Sequence, residues 1–125
     1  MACTGLVAGP EASAIAPVTA SRDSAYARAR RAVQAESFTL DIADSLGGRL
    51  TGTRYASSNA QIGSAAACRV RLELEITGDK GRAQVASASQ WLAPEPMIEQ
   101  APKVCEKERT EVLARVTETI EPPPQ

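Results

Sequence analysis

The sequence predicts an α+β domain in which a helix, a four-stranded antiparallel sheet and a second helix follow in order, with both helices packed on one sheet face. Three observations predict it. Residues 68–77 alternate strictly: Cys68, Val70, Leu72, Leu74 and Ile76 fall on one side, and Arg69, Arg71, Glu73, Glu75 and Thr77 on the other. That is the period of a strand with one buried and one wet face. Helical spacing relates Tyr26, Ala29 and Val33 before this strand, and Cys105, Val112, Leu113, Val116 and Ile120 after it. Glycine-bearing turns at Gly47-Gly48 and Thr77-Gly78-Asp79-Lys80-Gly81 separate the strand segments.

Residues 1–22 are rich in Ala, Gly, Pro, Ser and Thr, and Leu6, Val7, Ile15 and Val18 keep no steady period. This reads as a flexible leader with a root-mean-square reach of roughly 25 Å. The single domain is expected over 23–120. Ser21 or Asp23 can cap a first helix over 24–36, and its small residues suit close packing on a sheet. Phe38, Leu40 and Ile42 alternate with Thr39 and Asp41 as a half-buried strand. A turn at 44–48 leads to a second strand at 49–56, and the polar stretch 57–64 reads as a loop.

The long alternating strand and its hairpin partner at 83–92 complete the sheet. On that last strand the inward face is open to two readings, since Ser87 and Ser89 share Val85's side while Ala86 and Ala88 share the other. Pro94, Pro96 and Pro102 hold the next stretch extended, with Met97 and Ile98 as anchors onto the core. The second helix is expected over 103–120, its apolar stripe inward and its charges outward. Residues 121–125 form a proline-rich tail.

Composition excludes several functions. With 14 basic and 15 acidic residues the chain lacks the basic excess of a general nucleic-acid binder. It has no histidine, which removes Ser-His-Asp and Cys-His catalysis and the commonest metal ligand. Its cysteines show no CxxC spacing, and its glycines form neither a P-loop nor a dinucleotide fingerprint. Asp41 with Asp44, or Glu73 with Glu75, could in principle make an acid-base pair. Glu73 and Glu75 lie beside Arg69 and Arg71 on a wet face, however, where cross-strand ion pairing explains them better. The expectation is a non-catalytic protein with no catalytic residue, cofactor or metal.

The three cysteines carry the most information about location. Cys68 and Cys105 both point inward, so they can meet if the second helix packs over the long strand; otherwise they are buried free thiols. A bond between them would imply an oxidising compartment. Ala2-Cys3 resembles the end of a bacterial lipobox, where the cysteine is diacylated after cleavage. The elements from Tyr26 to Arg54 also match a pattern. An alanine-rich helix is followed by Glu36-Ser37-Phe38-Thr39-Leu40, then Asp44 and Gly48-Arg49-Leu50-Thr51. In this they resemble small bacterial envelope lipoproteins with helix-sheet-helix domains, among them accessory factors of outer-membrane protein and lipopolysaccharide assembly.

That resemblance implies lipidation at Cys3 and a place on the periplasmic side of the cell envelope. Thr4, standing where inner-membrane lipoproteins carry aspartate, implies the outer membrane. The implied role is an adaptor or assembly factor with an envelope protein partner, and Arg69, Arg71, Glu73 and Glu75 are its candidate interaction face. Two alternatives stand beside it. One is a carrier of a small apolar or lipidic ligand, with a pocket at Phe38 and Trp91. The other is an oligomeric scaffold, cytoplasmic if Cys3 is unmodified, pairing through the outer sheet face or an edge strand.

Overall fold

The structure, a computed structural model, describes residues 6–55, 61–62, 65–66, 68–79, 81–94 and 101–121. Its elements run β1 (Leu6–Ala8), β2 (Ala12–Val18), α1 (Arg22–Ala35), β3 (Thr39–Asp44), β4 (Arg49–Tyr55), β5 (Gln61–Ile62), β6 (Ala65–Ala66), β7 (Arg69–Asp79), β8 (Arg82–Pro94) and α2 (Ala101–Ile120). The main sheet is antiparallel in the order β1-β8-β7-β4-β3, and β2 also pairs with β8, following β1 along the same side. β5, inside the stretch expected to be a loop, pairs with β6 just beyond it.

The α+β class therefore holds, and the sheet is larger than expected. Residues 6–18 are not a free leader. Leu6 to Ala8 pair with Pro94 to Leu92, and Ala12 to Val18 with Ser89 to Ala83. The alternation was present in Ala12-Ser13-Ala14-Ile15-Ala16-Pro17-Val18, but its inward members are mostly alanine, too small to register as an apolar stripe. Gly9 is needed where β1 gives way to β2: a Cβ there would come within 2.0 Å of the Trp91 indole. Residues 1–5, with Cys3 among them, the tail from 122, and Met97 and Ile98 lie outside the described residues.

Ser21 caps α1, its hydroxyl accepting from the Ser24 amide at 3.1 Å. The helix buries Ala25, Tyr26, Ala29, Ala32 and Val33. It closes in a left-handed Ser37 (φ 65°), with the Ser37 amide donating to the Gln34 carbonyl at 3.0 Å. The turn before β4 forms as expected: Asp44 accepts from the Gly47 amide at 2.9 Å, and Gly48 takes φ 69°.

Register explains two further differences. β3 shifts register between Leu40 and Ile42, a bulge at Asp41. One extra residue turns the following side chains over, so Leu40 faces the core while Ile42 faces out and is exposed. On β8, Val85, Ser87, Ser89, Trp91 and Ala93 are all buried, which resolves the open parity with Ala86 and Ala88 outward.

The main core joins α1, α2 and the sheet through Leu50, Leu72, Ile76, Val85, Val116 and Ile120, among others. A second, smaller cluster holds Cys68, Trp91, Ala93 and Cys105. In α2 the charges do not all lie outside. Glu108 and Arg109 are buried, at 4% and 7% exposure. They occupy the turn between Cys105 and Val112 on the inward stripe, a gap in the apolar spacing that charged residues fill.

Candidate functional site

Two surfaces of the sheet carry the candidate chemistry. The inner one lies under the first half of α2. Cys68 and Cys105 are bonded there, with Cα atoms 5.9 Å apart, because α2 crosses over the start of β7. Arg54 on β4 reaches inward, its Nη2 2.8 Å from Glu108 Oε1 and its Nη1 donating to the Glu36 carbonyl at 2.9 Å. The same guanidinium lies 5.3 Å over the Phe38 ring. Arg109 donates to the Pro10 carbonyl and approaches Glu106 at 3.5 Å. A charged layer thus ties α2 to β4 and to the β1–β2 junction. Sequence reasoning missed it because long-range pairing alone puts Arg54 opposite Glu108.

Phe38 and Trp91, expected to share a pocket, fall into different clusters: Phe38 in the main core and Trp91 beside the disulfide. The interior between sheet and helices still holds side-chain atoms without a hydrogen-bond partner among the described residues: Tyr26 Oη, Arg54 Nε, Ser89 Oγ, Trp91 Nε1 and Arg109 Nε. Buried polar atoms are normally satisfied, so each needs an acceptor or a water.

The outer surface is the side of the sheet turned away from α1 and α2. Arg69, Arg71, Glu73 and Glu75 are all exposed on it, as expected. Arg71 and Glu73 form an ion pair at 2.7 Å, and Arg69 lies 5.3 Å over the Tyr55 ring. Asp41 accepts from the Thr53 hydroxyl at 2.7 Å. Asp41, Asp44 and Glu73 thus each have a structural partner. Among the described residues, no group of three His, Cys, Asp or Glu side chains could hold a metal.

An open depression of about 330 Å³ lies on this side. Ala86 and Ala88 give it a shallow floor, Ser13 and Ile15 of β2 form one wall, and Arg49, Glu73 and Glu75 form the other. Ile15 is 63% exposed at its rim. The sequence showed Ala86 and Ala88 as small outward residues only if Val85 pointed in. It gave no sign of Ser13 and Ile15, whose strand was hidden by alanine. Small side chains flanked by larger ones on neighbouring strands leave room for an incoming side chain.

No known protein family matches the chain, and no curated protein matches it in sequence. Among solved structures it is similar to Ara h 8.0201, with a TM-score of 0.53 and 5% identity over 93% of this chain and 98% of that one. A protein from Thermus thermophilus gives a TM-score of 0.44 at 12% identity, over 89% of this chain and 97% of that one. An uncharacterized protein from Rhizobium leguminosarum gives 0.41 at 15% identity, over 94% and 99%. The likeness to Ara h 8.0201 shows a shared fold.

Proposed function

We propose that the protein is a non-catalytic adaptor of the bacterial cell envelope, lipidated at Cys3 and facing the periplasm from the outer membrane. The observation that carries this reading is the Cys68–Cys105 bond. Such bonds persist in oxidising compartments and are rare where thiols are kept reduced. The partner is a protein, held on the outer sheet face, where the Ala86–Ala88 depression accepts an apolar side chain and the Arg49, Glu73 and Glu75 wall orients it. Cys3 precedes the start of β1 at Leu6 by three positions, about 10 Å of extended chain. An acyl anchor there would keep the sheet close to the membrane instead of on a long tether.

The test is the intact mass of the protein taken from its native membranes, before and after reduction. The expected result is an acylated N-terminal Cys3 and a gain of two hydrogen atoms when the reductant opens the disulfide. An unacylated chain with free thiols overturns the reading and moves the protein to the cytoplasm.

A second reading, a carrier of a small ligand, is favoured by the partnerless atoms of Ser89, Trp91 and Arg109 under α2. Its ligand would supply acceptor oxygens to those donors. Trp91 fluorescence should then shift when lipid extract is added; an unchanged spectrum with no co-purifying mass removes this alternative.

A further inference from the structure

The two edges of the main sheet are guarded differently. β3 ends one side with a bulge at Asp41 and with the carboxylates of Asp41 and Asp44, devices that discourage another strand from pairing. The other side ends in β2, whose residues Ala12 to Val18 carry no charge. Among the described residues, no strand pairs with its outer edge.

Register fixes which backbone groups that edge presents. The Gly9 amide donates to the Trp91 carbonyl at 3.0 Å, so Trp91 points its backbone toward β1. Alternation along an antiparallel strand then turns Ser89, Ser87, Val85 and Ala83 the same way. Their partners Ala12, Ala14, Ala16 and Val18 are consumed in this ladder, and Ser13, Ile15 and Pro17 point outward. Pro17 has no N–H to offer, and it sits where that loss costs the sheet nothing. Pro10 interrupts the strand at the other end. What remains is a short uncharged window centred on Ala14, with a donor and an acceptor on each of Ser13 and Ile15.

We propose that this window is the interface with a second copy of the chain, β2 pairing antiparallel with its symmetry mate about Ala14. In that register Ser13 of one copy opposes Ile15 of the other, and each of the two pairs exchanges an N–H···O=C bond in both directions. Ala14 faces its own mate in the close, non-hydrogen-bonded position, where Cα atoms approach to about 4.5 Å and a small side chain fits. The absence of charge removes the repulsion a strand meets when it pairs with itself, and both prolines fall outside the paired centre. Ile15 of each copy then lies diagonal to its mate on the outer face, within reach for a long side chain. A two-fold axis at Ala14 satisfies the rule that residue i meets j while j meets i. The proposal rests on the edge alone and holds whether or not Cys3 is acylated.

The test uses the full chain carrying Cys3→Ser, examined by sedimentation equilibrium and mild oxidation. The expected species is a reversible dimer of twice the monomer mass. Ala14→Cys should convert it to a covalent dimer on oxidation. Ile15→Pro removes only an edge donor, because that N–H does not serve β8, and should return the protein to a folded monomer. Ile15→Lys at the same exposed position should do likewise and covers the case in which proline disturbs the strand. A wild-type chain that stays monomeric at sub-millimolar concentration overturns the proposal. So does a dimer in which Ala14→Cys gives no cross-link and both Ile15 variants have no effect, since that outcome assigns the contact to the outer face.

Discussion

Along the last two turns of α2, Val112, Val116 and Ile120 are fully buried in a core they share with Leu50, Leu72, Ile76 and Val85. Two turns earlier the same helix meets the sheet with Cys105, Glu108 and Arg109, and the apolar cluster beside them comprises, among the described residues, Cys68, Trp91, Ala93 and Cys105, with Val104 packed against it. One end is held by area removed from water, and the other by a covalent bond and a buried ion pair. Aromatics are 3% of the chain, and the described Leu, Ile and most Val side chains of the core gather at the first of these ends. Among the described residues, the other end is fixed by groups whose strength does not grow with area.

Four measurements test this contrast. Reduction, or Cys105→Ser, should have the largest effect. The bond spans 37 residues, and the chain-entropy estimate for a loop of that length is about 4 kcal/mol. Denaturant unfolding with and without reductant checks it; a loss well below 1 kcal/mol would mean the stapled end is self-sufficient. Next comes Glu108→Leu, which leaves the Arg54 guanidinium buried beside an apolar side chain and should cost about 3 kcal/mol. Adding Arg54→Leu should recover most of that loss, because an apolar pair of similar volume often matches a buried ion pair. If the double variant is as unstable as the single, the pair does more than hold α2 in place.

Gly9→Ala comes third, at about 2 kcal/mol, since the new methyl must displace the Trp91 indole or the strand that carries it. Had residues 1–22 been a leader, that substitution would change nothing, so thermal unfolding of this variant separates the two pictures directly. Smallest is Ile120→Val at the apolar end, about 1 kcal/mol for one buried methylene. A larger loss there would show that the apolar end tolerates less than its packing implies.

Much of this was legible in the sequence, and the exceptions share a cause. β7 could be read from its own residues, because an apolar and a charged residue alternate at every step from 69 to 76. Ser21, Gly48 and the inward faces of Cys68 and Cys105 were legible for the same reason: each is signalled by neighbours a few positions away. β2 was not, because its inward alanines have too little side chain to mark a face. Ile42 was misplaced by one residue of bulge at Asp41. The depression at Ala86 and Ala88, and the Arg54–Glu108 pair, arise only when strands and helix distant in sequence are brought together. Local pattern cannot report them.

The placement of β1 and β2 on β8 also bears on the order in which the molecule is made. β1 and β2 leave the ribosome before their partner and find it only when residues 82–94 have followed, 65–88 positions later. At about 5–20 residues per second that is a wait on the order of 3–18 s. β3, β4 and β7 can meet in the meantime as successive antiparallel neighbours. β1 and β2 are then the last strands to dock, and until they do the β8 edge stands open to whatever chain is nearest.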